Sequence, residues 1–144
     1  MNKTKSFLSV EEEERIVACI REAEGKTSGE IRVHLAKKVK GTLWNAATRT
    51  FKKLGMIATK DHNGVLFYLA LKERQFVVIG DSGIHARVPT GFWDQIRDAM
   101  QNDFKKGDFA KGLMQGIKTC GIELARYFPR QNDDRNELPD QISR

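Results

Sequence analysis

The sequence has little of what defines several special classes of protein. It contains only two cysteines and three prolines, and it has no CxxC pair or Cys/His spacing typical of zinc. The longest apolar run, Val65 to Leu71, is strand-sized and falls well short of the roughly 18–20 residues of a membrane span. No apolar segment follows the N-terminal lysines, so a secretory signal is not predicted. We therefore expect a cytoplasmic protein with two reduced, buried thiols and no membrane span.

Sequence motifs of common enzymes and cofactor-binding proteins are also missing. There is no P-loop, GxGxxG, HExxH or GxSxG. The segment Asp61-His62-Asn63-Gly64 begins like a calcium loop, but the later ligands and the terminal glutamate of an EF-hand are lacking. No single motif therefore assigns a reaction, and no organic cofactor is predicted.

The composition is that of a folded single domain. Of the 144 residues, 40% are hydrophobic and 31% are charged, which is sufficient to bury a core without a disulfide or metal. We assign residues 1–128 to one domain. Residues 129–144 have few apolar side chains, and we expect them to form a disordered tail.

Hydrophobic periodicity predicts alternating helices and strands. Ser9 and Glu12 have the spacing of a capping box, and the helix that they begin should end with a left-handed Gly25. The predicted strands are Glu30 to Ala36, Val65 to Leu71 and Phe76 to Ile79. Further helices are predicted from about Thr42 to Leu54, from Pro89 or Thr90, and after Asp108.

The connections predict a mixed α/β sheet. The four residues 72–75 are short enough for a hairpin, so the strands that they join should be antiparallel. The first strand is linked to the second through a helix, which favours a parallel pair. The two apolar hairpin strands should lie at the centre of a sheet covered on both faces.

This topology predicts that Glu30, Asp61 and Asp81 converge at one edge of the sheet. Carboxylate oxygens are ligands for calcium or magnesium, and Thr27, Ser28 and Ser82 would add hydroxyls nearby. His62 and His85 should flank the same edge. Ordinary turn chemistry is the alternative interpretation, because Asp and Ser at loop ends commonly bond their own backbone.

A second function class is suggested by the charge distribution. The net charge is +6, and no acidic residue occurs from Ile31 to Lys60. Arg49, Lys52 and Lys53 should share the solvent face of the second helix, where they could dock an acidic protein or nucleic acid. We expect no nucleic-acid binding above the weak background of a basic protein. Trp44 and Trp93 are expected to be packing residues.

Four strings in order resemble the TPM domain family over roughly residues 7–128: Thr27-Ser28-Gly29-Glu30-Ile31-Arg32-Val33, Asn63-Gly64-Val65-Leu66, Val78-Ile79-Gly80-Asp81 and Lys106-Gly107-Asp108-Phe109. The resemblance implies a Rossmann-like, three-layer α/β/α sandwich with a mixed central sheet. It also implies a divalent-cation site and a phosphatase activity. Our hypothesis is a metal-binding domain with weak phosphatase activity, whose partner is a phosphorylated small molecule or a protein. Arg32 or Arg87 would then neutralise the phosphate.

Overall fold

Helices and strands alternate along the chain in the structure, a computed structural model that describes residues 7–130 and 142–144. The strands are β1 (Glu30–Ala36), β2 (Gly64–Ala70) and β3 (Gln75–Gly80). The helices are α1 (Val10–Glu24), α2 (Leu43–Lys53), α3 (Ser82–His85), α4 (Phe92–Lys105) and α5 (Phe109–Tyr127), with a short 3-10 helix at Met56–Ala58.

The three strands form a mixed sheet in the order β1-β2-β3. Strand β1 is parallel to β2, with Glu30 opposite Gly64 and Ala36 opposite Ala70. Strand β2 is antiparallel to β3. The predicted strand directions are therefore confirmed, and a helical crossover joins β1 to β2. The prediction that both hairpin strands lie at the centre of the sheet is wrong for β3. Only β2 is central and fully buried, and β3 is an edge strand because no further strand pairs with it among the described residues.

Each face of the sheet has its own hydrophobic core. Ile31, Val33 and Leu35 of β1 point to the larger core, which is shared with α1, α4 and α5. The alternate residues of β2, Leu66, Tyr68 and Ala70, pack instead with α2 and the 3-10 helix. This alternation follows from the two-residue period of a strand. It confirms the predicted α/β/α sandwich.

Local signals in the sequence set most helix starts. The Ser9 hydroxyl accepts a hydrogen bond from the Glu12 N–H at 3.0 Å, and the Glu12 carboxylate accepts one from the Ser9 N–H at 2.9 Å. The predicted capping box is thus confirmed. Gly25 does end α1, but the left-handed conformation predicted for it is wrong. Its φ is −64°, because the chain continues in a right-handed turn.

The predicted tail, residues 129–144, is described only at its two ends. Pro129 and Thr27 form an isolated antiparallel β-bridge, and the Arg130 side chain donates a hydrogen bond to the Glu24 carbonyl. Ser143 exchanges two 2.8 Å backbone hydrogen bonds with β1, at Val33 and Leu35. Residues 131–141 lie outside the described part, so their predicted disorder stays a prediction. The contacts at both ends were not anticipated.

None of the helices within residues 7–130 and 142–144 is both long enough and apolar enough to cross a membrane.

Candidate functional site

Three chain segments meet at one end of the sheet. The register places Glu30 opposite Gly64, and the Asp81 N–H donates to the Gly64 carbonyl at 2.9 Å on the other side. The Glu30 N–H donates to the Asn63 carbonyl at 3.3 Å. The backbones of Glu30 and Asp81 therefore flank the start of β2, as the predicted topology requires.

Asp81 is the most constrained carboxylate at this edge. It is the N-cap of α3, and its Oδ1 accepts the Ser82 N–H at 2.7 Å. Its Oδ2 is shielded from solvent and accepts no hydrogen bond within the described part of the chain. His62 Nδ1 lies 3.5 Å from that oxygen. A buried carboxylate oxygen without a donor is costly.

The other two predicted ligands differ sharply from each other. The Glu30 side chain is buried, with 3% of its surface exposed, and it has its own interactions. Asp61 is exposed on the loop before β2. A carboxylate on an exposed loop can turn toward an ion at little cost, whereas Glu30 would have to change its present contacts.

The loop that carries Asp61 and His62 packs tightly against α3. The Gly83 N–H donates to the His62 carbonyl at 2.9 Å. A Cβ atom built on Gly83 would lie only 2.4 Å from the Asp61 carbonyl oxygen. His62 has a positive φ of 50°, a left-handed conformation that is uncommon outside glycine. The loop thus brings two backbone carbonyls close to the Asp81 turn.

The neighbouring polar residues predicted to help have structural partners. Thr27 donates its hydroxyl to the Phe128 carbonyl and accepts the Gly29 N–H. Ser28 accepts a hydrogen bond from the Asn63 side-chain amide at 3.3 Å. Asn63 is a buried amide directly before strand β2, and it joins the start of β2 to the segment before β1. Its role was not predicted, although a polar residue next to a buried strand is a sequence signal that could have indicated it.

The remaining predicted groups are spread around the edge. The His85 ring packs on Trp93, with ring centroids 5.5 Å apart. Arg32 is 7% exposed. The Arg87 guanidinium lies over the Phe128 ring at 5.1 Å and donates to the Tyr127 carbonyl. Arg32 is therefore buried, whereas Arg87 is exposed and packs on Phe128.

The fit of this edge to a metal depends on backbone oxygens. No group of three His, Cys, Asp or Glu side chains is placed to share one ion among residues 7–130 and 142–144. A hard cation could still take Asp81 Oδ2, backbone carbonyls and water, since calcium accepts all three kinds of oxygen. The donor set therefore fits a weak calcium or magnesium site and does not fit a transition-metal centre.

The basic face of α2 is exposed as predicted, and so is a tryptophan in the first turn of the helix. Arg49, Lys52 and Lys53 are all solvent-exposed. Trp44, predicted to be a packing residue, is 56% exposed. That prediction is wrong because Trp44 lies in the first turn of α2, ahead of the buried residues Ala46, Ala47 and Phe51.

Both cysteines are free and buried, as predicted. Burial raises the pKa of the Cys120 thiol to about 12, with Glu123 adding to the effect. Burial also raises the pKa of Cys19, against the opposing charge of Lys118. Because the thiolate is the reactive form, neither cysteine is suited to nucleophilic catalysis.

The fold defines a class: a three-layer α/β/α domain built on a three-stranded mixed sheet. The sequence profile of the TPM domain matches residues 1–121. The chain belongs to the TPM domain family. No curated protein matches the sequence significantly.

Solved structures with the same fold come from several bacteria. The NMR structure of the BA42 protein from the psychrophilic bacterium Bizionia argentinensis is 48% identical, with a TM-score of 0.91 and 99% of each chain covered. The N-terminal domain of a P. gingivalis protein is 23% identical, with a TM-score of 0.71, and covers 88% of this chain and 84% of its own. The N-terminal domain of the cg2496 protein from Corynebacterium glutamicum, 14% identical with a TM-score of 0.63, covers 95% and 80%. The last two show the fold alone.

Proposed function

We propose that the chain binds a divalent cation, calcium or magnesium, at the sheet edge formed by Glu30, Asp61 and Asp81. The observation that carries the proposal is Asp81 Oδ2, a shielded carboxylate oxygen that accepts no hydrogen bond from a described residue. A cation would supply the missing partner. Asp81 would be the anchoring ligand, with Asp61 and nearby backbone carbonyls completing the shell.

The affinity should be low. Few negative charges face the edge, and a partly assembled oxygen shell binds calcium with a dissociation constant of about 10⁻⁴–10⁻³ M. Any weak phosphatase activity would depend on the same ion, because both thiols are buried with raised pKa values. The ion would then hold the phosphate and polarise it.

Calcium or magnesium should therefore raise the melting temperature of the parent chain and shift amide resonances at residues 61–64 and 80–83. A ligand that binds the native state alone stabilises it by RT ln(1 + c/Kd), where c is the cation concentration, so the effect grows with c. In Asp81→Asn both responses should be lost, and so should any cation-dependent hydrolysis of p-nitrophenyl phosphate.

The matched control is Asp98→Asn, which removes an exposed carboxylate on α4 that pairs with its neighbour Arg97. This variant should keep the full response to the cation. An unchanged melting curve and unchanged amide shifts in the parent would contradict the proposal, as would an Asp81→Asn chain that responds like the parent.

The second candidate function is a docking module that uses the basic face of α2. The exposed Trp44 on the same helix favours it, because an exposed large aromatic is typical of an interaction surface. Titration of a fluorescent single-stranded DNA oligonucleotide with the protein tests whether this face binds nucleic acid. We expect weak binding that falls steeply as salt approaches about 0.15 M. Tight binding at that salt, lost in Lys52→Gln/Lys53→Gln, would favour docking over cation binding.

A further inference from the structure

An open groove lies at the end of the sheet opposite the candidate cation site. Its volume is about 960 Å³, and the end of β2, the β2–β3 hairpin and the last turns of α4 line it. This volume is at the upper end of the range for small-molecule sites. None of the groups discussed for the cation site lies in it, so it would serve a separate ligand.

The floor of the groove is a chain of phenylalanine rings. Phe7 contacts Phe109 with centroids 4.7 Å apart, Phe109 contacts Phe104 at 5.4 Å, and Phe104 contacts Phe76 edge-on at 5.0 Å. All four residues are only partly buried. Four linked rings left partly open to solvent form an apolar surface suited to an acyl chain or an aromatic group.

The rim of the groove is cationic. Arg74, Arg97 and Lys105 line it, and no acidic residue is among the described residues that do so. Arg97 is engaged by Asp94 and Asp98 at 3.2 and 3.4 Å. Arg74 and Lys105, in contrast, form no ion pair with any residue in the described ranges. Two cations over an aromatic floor match a negatively charged head group on an apolar body.

The backbone of Arg74 adds an independent observation. Its φ is 55°, in the left-handed region where the turn of a short hairpin favours glycine. Uncommon backbone conformations of non-glycine residues cluster at functional sites, so this one supports a functional hypothesis for Arg74. Here that side chain lies on the groove rim.

We propose that the groove binds a small amphipathic anion, with its acyl or aromatic body on the phenylalanine floor and its carboxylate at Arg74 and Lys105. The residues that precede Phe7 include Lys3 and Lys5, whose charge is the same as that of the rim. Charge complementarity therefore favours an added anion over the chain's own N-terminal segment.

Titration of the full-length ¹⁵N-labelled chain with decanoate tests the proposal. Amide shifts should concentrate at residues 71–76 and 101–109. Arg74→Gly should weaken binding roughly fivefold or more, since it removes a charge-assisted contact, without lowering the melting temperature, because glycine is relaxed at this φ. Lys72→Gln is the matched control. It removes an exposed cation from the same turn and should bind decanoate like the parent.

Ligand analogues separate the two halves of the recognition. Decanol, without the charge, and acetate, without the chain, should each bind at least about fivefold more weakly than decanoate. Asp81→Asn should bind decanoate like the parent, so a failure of the cation proposal can be distinguished from a failure of the groove proposal. Shifts spread evenly over the surface, or equal affinities for Arg74→Gly and Lys72→Gln, would overturn the proposal. The proposal would also be overturned if the protein bound phosphatidylglycerol vesicles but did not bind free decanoate.

Discussion

Leu113→Ala should lower the free energy of unfolding by about 2–5 kcal/mol. Leu113 has none of its side chain exposed, and it lies in the stripe by which α5 packs into the larger core. Truncation removes the transfer free energy of the buried methyl groups and leaves a cavity that the surrounding core only partly fills. Since a domain has only about 5–15 kcal/mol in total, the effect should be large. Urea unfolding followed by circular dichroism measures it.

The same helix supplies a matched control for this substitution. Ile122 is 67% exposed, so Ile122→Ala removes a similar side chain from the same helix without opening a cavity. It should change the free energy of unfolding by less than about 0.5 kcal/mol. Equal losses for the two variants would contradict the packing of α5, and so would a Leu113→Ala chain that unfolds at the denaturant concentration of the parent.

The long periodic elements of the fold could be predicted from the sequence. The alternation from Glu30 to Ala36 matches β1 at both ends, and β2 and β3 begin within one residue of their predicted starts. The hairpin and the helical crossover then determine the strand directions. Periodicity failed where the element was too short to show it, as in α3, with four residues, and the 3-10 helix, with three.

Contacts that depend on tertiary packing were not predictable in this way. Ser143 pairs with the free edge of β1. The described segment 142–144 is too short to show a hydrophobic period, so the sequence could not predict this pairing. Arg74 takes a left-handed conformation at a position where no glycine marks the turn. Tryptophan is a residue type that usually packs in a core, but Trp44 lies in the first turn of α2, ahead of the buried residues of that helix.

The candidate cation site also has a part that the sequence could predict and a part that it could not. Strand order alone brings Glu30 and Asp81 to the two sides of β2, so their approach could be predicted from the topology. Whether a carboxylate is buried, exposed or already bonded depends on side chains from other segments. The shielding of Asp81 Oδ2 and the exposure of Asp61 are of that kind.

Gly83→Ala should also be strongly destabilising, by at least about 2 kcal/mol. Its Cβ would lie 2.4 Å from the Asp61 carbonyl oxygen and 2.7 Å from that of His62. Both are backbone atoms, so they cannot move aside in the way that the end of a flexible side chain can. The loop 61–62 must move away from α3, which breaks the hydrogen bond from the Gly83 N–H to the His62 carbonyl and opens the turn at Asp81.

Gly25→Ala is the matched control for this change. The nearest atoms to a Cβ at Gly25 are 3.4 Å away, an ordinary contact, and its φ of −64° suits any residue. Alanine there should leave the free energy of unfolding unchanged or raise it by up to about 1 kcal/mol, because it reduces the freedom of the unfolded chain. Thermal and urea unfolding of the two variants measures the difference. If Gly83→Ala proves as stable as Gly25→Ala, and the amide shifts of residues 61–64 stay at their parent positions, then the loop does not pack against α3 as described.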